Sequence, residues 1–261
     1  MVEILLIGIT ALLTSGLTFF SGFGVGTILM PVFALFFPIP LAIAATAVVH
    51  VANNMFKCGL MAKQADWSVV ARFSAPAAVA AMAGAALLTL FAQMPVIASY
   101  RLGNSECTIT VIKAVTGCLI TVFACLELWP RFQALTFPPR WLLVGGALSG
   151  FFGGLSGHQG ALRSAFLLKA GLSKEAFVAT GIVSAVIVDA SRLLGYGMGF
   201  MTDDFAQSRD LMASVLVGTV CAFVGSFAGM RLLRKVTLAG VRVVVAGGML
   251  VIGVGLAAGF L

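Results

Sequence analysis

Long apolar runs follow one another along the chain, separated by short polar or glycine-rich breaks. The breakers mark ten runs, at roughly 4–21, 26–37, 41–61, 69–92, 109–128, 141–156, 161–170, 174–196, 210–230 and 238–260. Most approach the ~20 residues that an α-helix needs to cross a hydrocarbon core about 30 Å thick. The runs 26–37 and 161–170 are too short to cross. This pattern predicts an all-α polytopic membrane protein with about eight full spans and two half-helices.

The breaks carry the next inference. A straight helix over residues 4–37 would be about 50 Å long at 1.5 Å per residue, well beyond the core thickness. Gly22, Gly24 and Gly26 at alternate positions, followed by Pro31, supply the interruption. Segment 26–37 is then expected to fold back on the first run as a hairpin. The later sequence repeats the plan, with Gly157-His158-Gln159-Gly160 interrupting a run before a short apolar segment. Setting Gly150 against Gly16 brings this second break within one position of the first, and Ala179-Thr180 near Ala45-Thr46. The chain reads as a duplication inside one transmembrane domain, with repeats 1–128 and 141–261 joined by a loop at 129–140.

Charge placement tests the hairpins. With them, one face collects Lys63, Arg72, Arg131, Arg140, Lys169, Lys174, Arg231, Arg234, Lys235 and Arg242, against Arg101, Lys113 and Arg209 on the other. Unbroken helices would divide the same residues five against eight, contrary to the positive-inside bias. The hairpin topology puts both termini outside the cytoplasm of a multi-pass inner-membrane protein, with five segments in each half. An odd number makes the halves inverted repeats, a plan found in secondary transporters. The opening Met1-Val2-Glu3 lacks the basic region of a cleavable leader, so the first segment is expected to be a retained span.

Composition removes other classes. With 61% hydrophobic and 10% charged residues, a water-soluble fold is excluded. The net charge of +7 comes from short loops rather than a basic face, so no nucleic-acid partner is expected. Of five cysteines only Cys107 is expected in a loop, and no C-x-x-C spacing exists, so neither a disulfide framework, a metal site nor a cofactor is indicated.

The stretch Gly22-Phe23-Gly24-Val25-Gly26-Thr27-Ile28-Leu29-Met30-Pro31, with Ala44-Ala45-Thr46 and Ala65-Asp66-Trp67, resembles the sulfite exporter TauE/SafE family, also called the toluene sulfonate uptake permease group. The second break departs from that pattern, with His158 and Gln159 inside the turn and Phe166 where the resemblance expects proline. The resemblance implies transport of sulfite, sulfonates or related anions without an ATPase.

Candidate binding residues cluster at the breaks. A helix N-terminus carries about +0.5 charge and unpaired N–H groups, so the starts of the two half-helices would cradle an anion, with Gly22, Gly24, Gly26 and Gly160 admitting it to the backbone. Arg163 lies in the first turn after Gly160 and can fork two oxygens of a sulfonate or carboxylate. His158 and Gln159 add donors, with Ser21 and Ser156 beside them. Asp189 and Arg192, three apart, share one helix side and form either a structural ion pair or a functional one in which Asp189 exchanges a proton. His50, Asn53, Asn54 and Lys57 fall at i, i+3, i+4 and i+7, and such a stripe in a span faces either protein or a pathway. Thr46 and Thr180 occupy matching repeat positions.

The leading expectation is therefore a secondary transporter of a small anion, lying in the lipid bilayer, with Gly225, Ser226 and Gly229 available for a homodimer contact. An anion channel would use the same cradles. A third reading takes Gly154-Leu155-Ser156-Gly157 as the G-x-S-G string of an intramembrane serine protease with His50 as base.

Overall fold

The computed structural model describes residues 1–17, 25–103, 105–198, 208–232 and 238–261. Gly22 and Gly24, with Ser21, lie outside the described residues, as do Arg234 and Lys235. The first half contains α1 (Val2–Leu17), α2 (Val25–Ala34), α3 (Ile39–Met61), α4 (Trp67–Ala92) and α5 (Val111–Leu128). The second contains α6 (Leu142–Ser156), α7 (Gly160–Leu167), α8 (Lys174–Gly197), α9 (Arg209–Leu232) and α10 (Leu238–Ala257). Short polar side chains start several of them by accepting otherwise unpaired N–H groups. Asp66 accepts from Ser68 and Val69 at the head of α4, Thr110 from Lys113 at α5, and Ser173 from Ala176 at α8.

One expectation is corrected. Among the described residues the fold is helical except for an antiparallel hairpin, β1 (Val96–Leu102) paired with β2 (Ser105–Thr110), where only a loop was expected. Its strands are rich in β-branched and aromatic residues, and Gly103 turns the chain at φ +61°. Cys107 therefore sits buried in a strand. Among the described residues, five helices, α3, α4, α5, α8 and α9, are long and apolar enough to cross a membrane. Helix α6 has 15 residues, so at 1.5 Å per residue it reaches about 22 Å. The reason at α6 is local: Gly157 takes φ +82°, a left-handed conformation that ends the helix.

Beyond that glycine the chain doubles back. A Cβ added at Gly153 would lie 3.0 Å from Gln159, and one at Gly145 would lie 2.2 Å from the Phe166 ring, so α7 runs antiparallel down α6. Phe166 stacks on Phe137 at 4.2 Å, and Phe137 N–H donates to the Ala165 carbonyl at 3.3 Å. This ties the 129–140 loop to the end of α7.

Small residues set the helix packing. Cβ atoms at Gly146, Gly150 and Gly154 would fall 2.0, 2.0 and 2.1 Å from the carbonyl oxygens of Phe73, Ala77 and Ala81, so α6 lies backbone to backbone and parallel with α4. In the same way Gly225 and Gly229 sit against the Leu12 and Gly16 carbonyls, at 2.1 and 2.4 Å from an added Cβ, and α9 runs parallel with α1. These two glycines, and Ser226, which donates to Asn53 Oδ1 at 2.7 Å, are taken up inside the chain rather than left for a second protomer. Helix α5 packs antiparallel on α10, with Gly117 against Gly253 and Ala257.

At the centre are α3 and α8, with 61% of each apolar window buried, against 28% for α4 and 39% for α5 and α9. They cross antiparallel: His50 of α3 meets Asp189 of α8, while Asp66, just beyond α3, donates its N–H to Thr180 Oγ1 at 3.0 Å. At the opposite end of the bundle, the β-hairpin packs on the C-terminal residues. Tyr100 donates to the Ala258 carbonyl at 2.6 Å, and Thr108 N–H to Gly259 at 3.3 Å.

Candidate functional site

Asp189 is the hub of a polar network in the middle of the bundle. Its carboxylate is fully buried and faces donors from three helices. Oδ2 lies 2.6 Å from His50 Nδ1 on α3, and Oδ1 accepts from Gln159 Nε2 at 2.7 Å, from the head of α7. Oδ1 also takes Arg192, with Nε at 3.0 Å and the second terminal nitrogen at 2.7 Å. The three-residue spacing on α8 makes this last contact possible, since residues i and i+3 share a helix face.

Arg192 has a second task. Its other terminal nitrogen donates to the Gly153 carbonyl at 3.0 Å, and Tyr196 donates to the Gly154 carbonyl. The last carbonyls of a helix have no intrahelical partner and carry negative partial charge. Arg192 and Tyr196 therefore cap α6 from α8 and hold the break at Gly157, where an added Cβ would lie 3.3 Å from Arg192. Tyr196 was missed in the sequence, although Asp189, Arg192 and Tyr196 fall at i, i+3 and i+7.

Arg163 sits at the other side of the break. It is buried in the first turn of α7 and donates to Gln159 Oε1 at 3.2 Å. The Gln159 amide thus joins Arg163 to Asp189, taking the guanidinium on its oxygen and giving its N–H to the carboxylate. The positive end of α7 and the Arg163 charge reinforce each other, an arrangement that attracts a negative group. Gly181 of α8 borders Arg163, where an added Cβ would make an ordinary van der Waals contact at 3.7 Å from Nε. Gly160 begins α7 and is buried.

The start of α2 meets this region. A Cβ at Gly26 would lie 3.6 Å from the His50 ring and 3.7 Å from the Gly157 carbonyl. The heads of the two short helices are thereby brought toward one another across His50. On α3, Asn54 places its Nδ2 3.2 and 3.3 Å from the two ring nitrogens of His50. Lys57 is buried one turn further along, close enough to Arg163 for the two positive charges to act on each other.

Not every candidate joins the network. Asn53 faces away from Asp189, donating to Ser15 Oγ at 3.4 Å and accepting from Ser226, so it ties α3 to α1 and α9. Thr46 donates to its own helix at Ala42, and Thr180 accepts from Asp66 at the loop. His158 lies within the break, its Nδ1 2.9 Å from the Ser156 carbonyl and its ring stacked on Phe123 at 5.3 Å. Its Nε2 is buried and has no hydrogen-bond partner among the described residues. Ser156 donates to the Phe152 carbonyl of its own helix at 3.0 Å, and His50 is engaged with Asp189, so the serine-protease pairing of these two residues is not formed. Buried Ser184 on α8 and Glu127 on α5 are further polar side chains that the sequence reading did not single out.

Comparison with known proteins bears on this geometry in one respect. The family model described as sulfite exporter TauE/SafE matches residues 4–256. Comparison with curated proteins and with solved structures gives no match.

Proposed function

Because the chain belongs to the sulfite exporter TauE/SafE family, we propose that it is a secondary transporter that exports a small anion, held between the two helix breaks. Sulfite, an organosulfonate or a related carboxylate is the class of solute, in an inner membrane with both termini outside. The observation that carries this reading is Arg163, a guanidinium buried in the N-terminal turn of α7, where the helix end adds positive potential rather than offsetting it. Gln159, His158 and the backbone at Gly160 stand beside it on the same break. Gly26 brings the head of α2 to the opposite side, and Lys57 adds a further positive charge.

The carrier reading also rests on a proposed inverted repeat. Exchanging α1–α5 for α6–α10 turns the parallel pair α1 and α9 into the parallel pair α6 and α4. It turns α2 on α3 into α7 on α8, and α4 on α8 into α9 on α3. The two pairs that map onto themselves, α3 with α8 and α5 with α10, run antiparallel. A two-fold axis in the membrane plane requires that, whereas an axis along the membrane normal would make them parallel.

The test is binding followed by counterflow. Purified protein titrated with sulfite, ethanesulfonate and acetate should bind at least one of the three, and Arg163→Gln should weaken that binding by tenfold or more, since a charge-assisted hydrogen bond is worth about 1.5–3 kcal/mol. In proteoliposomes, trans substrate should accelerate uptake of label, as a carrier requires. Flux that ignores trans substrate would mark a channel, and R163Q binding equal to wild type would remove Arg163 from the site.

A further inference from the structure

We propose that the His50–Asp189 pair is a proton site and that the carrier binds one proton together with its anion. This rests on the anion site described above and adds the coupling ion. The geometry separates the chain's two histidines. At His50, Nδ1 faces a carboxylate that also takes Gln159 and Arg192, so Asp189 is ionised and Nδ1 carries hydrogen. The remaining nitrogen, Nε2, is an acceptor in neutral imidazole and a donor in imidazolium. Its neighbour is the Asn54 amide, whose nitrogen lies 3.3 Å from Nε2 and 3.2 Å from Nδ1; with Nδ1 given to Asp189, Nε2 is the ring nitrogen left to accept from it. An amide serves both states: its N–H donates to the neutral ring, and turned over, its oxygen accepts from the charged one. His50 can therefore gain a proton without burying an unsatisfied donor.

His158 cannot. Its Nδ1 is committed to the Ser156 carbonyl, and a proton on Nε2 would leave a buried cationic N–H with no acceptor among the described residues. The charges that act on His50 are Asp189 and Arg192 from α8 and Arg163 from α7. On its own helix are Asn54 and Lys57. The ten residues of α2 include no titratable side chain, α4 brings only the exposed Arg72, and the stretch of α9 between Asp210 and Arg231 brings only Cys221.

The proton is linked to the anion through the hub. Asp189 acts electrostatically on Arg163 and reaches it through Gln159. While His50 is neutral, the carboxylate offsets part of the pull of Arg163 on an anion. A proton on His50 cancels that offset, so the protonated state binds the anion more tightly, and by reciprocity the bound anion draws a proton onto His50. Proton and anion then travel together. Run outward by accumulation of the anion inside, the carrier would remove a proton with each turn.

The experiment is calorimetric titration of the purified protein with sulfite in buffers of different ionisation enthalpy, which counts protons taken up per anion bound. Sulfite has its own proton equilibrium, but this is common to wild type and His50→Gln and cancels in their difference. We expect wild type to take up as much as one more proton than H50Q, and its sulfite affinity to rise, relative to that of the variant, by up to about tenfold per pH unit as the pH falls. Histidine-ring ¹⁵N spectra of wild type give the same test without a variant: of two ring signals, that of His50 should pass to the imidazolium form when sulfite is added, and that of His158 should not. Binding with equal proton uptake in the two proteins, or with both rings unchanged, overturns the proposal while leaving the anion site intact. Absence of sulfite binding to wild type removes the anion reading for sulfite and this proposal with it.

Discussion

Asp189→Asn is the perturbation that best isolates the centre of the bundle. The substitution keeps the shape of the side chain and one acceptor oxygen, and removes the only negative charge in contact with Arg192 among the described residues, at 2.7 Å with both side chains fully buried. Breaking a buried ion pair by removing one partner costs roughly 3–5 kcal/mol, because the surviving charge is left uncompensated. Arg192 keeps its hydrogen bond to Gly153, and the asparagine oxygen can still accept from Gln159 or Arg192, so the lower end, about 3 kcal/mol, is expected. For a chain of this size each kcal/mol shifts the midpoint by roughly 2–4 °C, which puts the loss at about 6–12 °C. Thermal challenge in detergent followed by size-exclusion chromatography reads this directly. The apolar double substitution Asp189→Leu with Arg192→Met should recover more than half of the loss, since an apolar pair of similar volume is often neutral or better. A D189N midpoint within about 2 °C of wild type, or a double variant as unstable as D189N, would refute the view of Asp189 and Arg192 as a mutually neutralising pair.

Two further outcomes follow from packing. Gly150→Ala and Gly229→Ala should each destabilise by about 1–3 kcal/mol, because the new Cβ meets a backbone carbonyl at 2.0 and 2.4 Å, whereas Gly59→Ala, with nothing within 4 Å, should be neutral or slightly stabilising; thermal midpoints compare all three. Tyr196→Phe leaves the Gly154 carbonyl at the end of α6 without its donor, and should lower the midpoint by the equivalent of about 1–3 kcal/mol with helical circular dichroism unchanged; an unshifted midpoint would mean that the hydroxyl does not cap α6.

Helix positions were largely legible in the sequence, and the reason is the solvent. A bilayer demands internally satisfied backbone and a long apolar run, so each run shows as a helix within a few residues: 41–61 as Ile39–Met61, 174–196 as Lys174–Gly197. The β-hairpin was not legible, because residues 96–110, interrupted by Arg101, Asn104 and Glu106, carry no long apolar run to mark their structure. The pairing of Asp189 with Arg192 could be read from their spacing on one helix. The pairing of Asp189 with His50 could not, since it joins residues 139 positions apart on different helices. The stripe of His50, Asn53, Asn54 and Lys57 is uniformly buried, as a polar stripe in a span must be, yet it divides. Asn53 serves the contact with α1 and α9, while His50 and Asn54 serve the hub. One helical stripe 60° or more wide can face two neighbours, and periodicity alone does not say which residue meets which (about 100° separates consecutive residues).

The division of labour between the halves is the deeper reason why the site resists reading from motifs. Under the proposed repeat, setting Gly150 against Gly16 places Gly160 on Gly26 and Thr180 on Thr46, so scaffold positions would correspond. The chemistry does not. Arg163 falls opposite Leu29, and His50 opposite Ser184, itself buried on α8 with no hydrogen-bond partner among the described residues. If both halves carried Arg163 and Asp189, two buried cations and two carboxylates would crowd one crossing of α3 and α8, and like charges at short range in a medium of low polarity are costly. Keeping the guanidiniums and the carboxylate on α7 and α8, and the histidine, amide and Lys57 on α3, leaves a single centre in which each half supplies what the other lacks. In the proposed carrier, a rocking motion of one half against the other would have to break or remake the His50–Asp189 contact, 2.6 Å across the α3–α8 crossing.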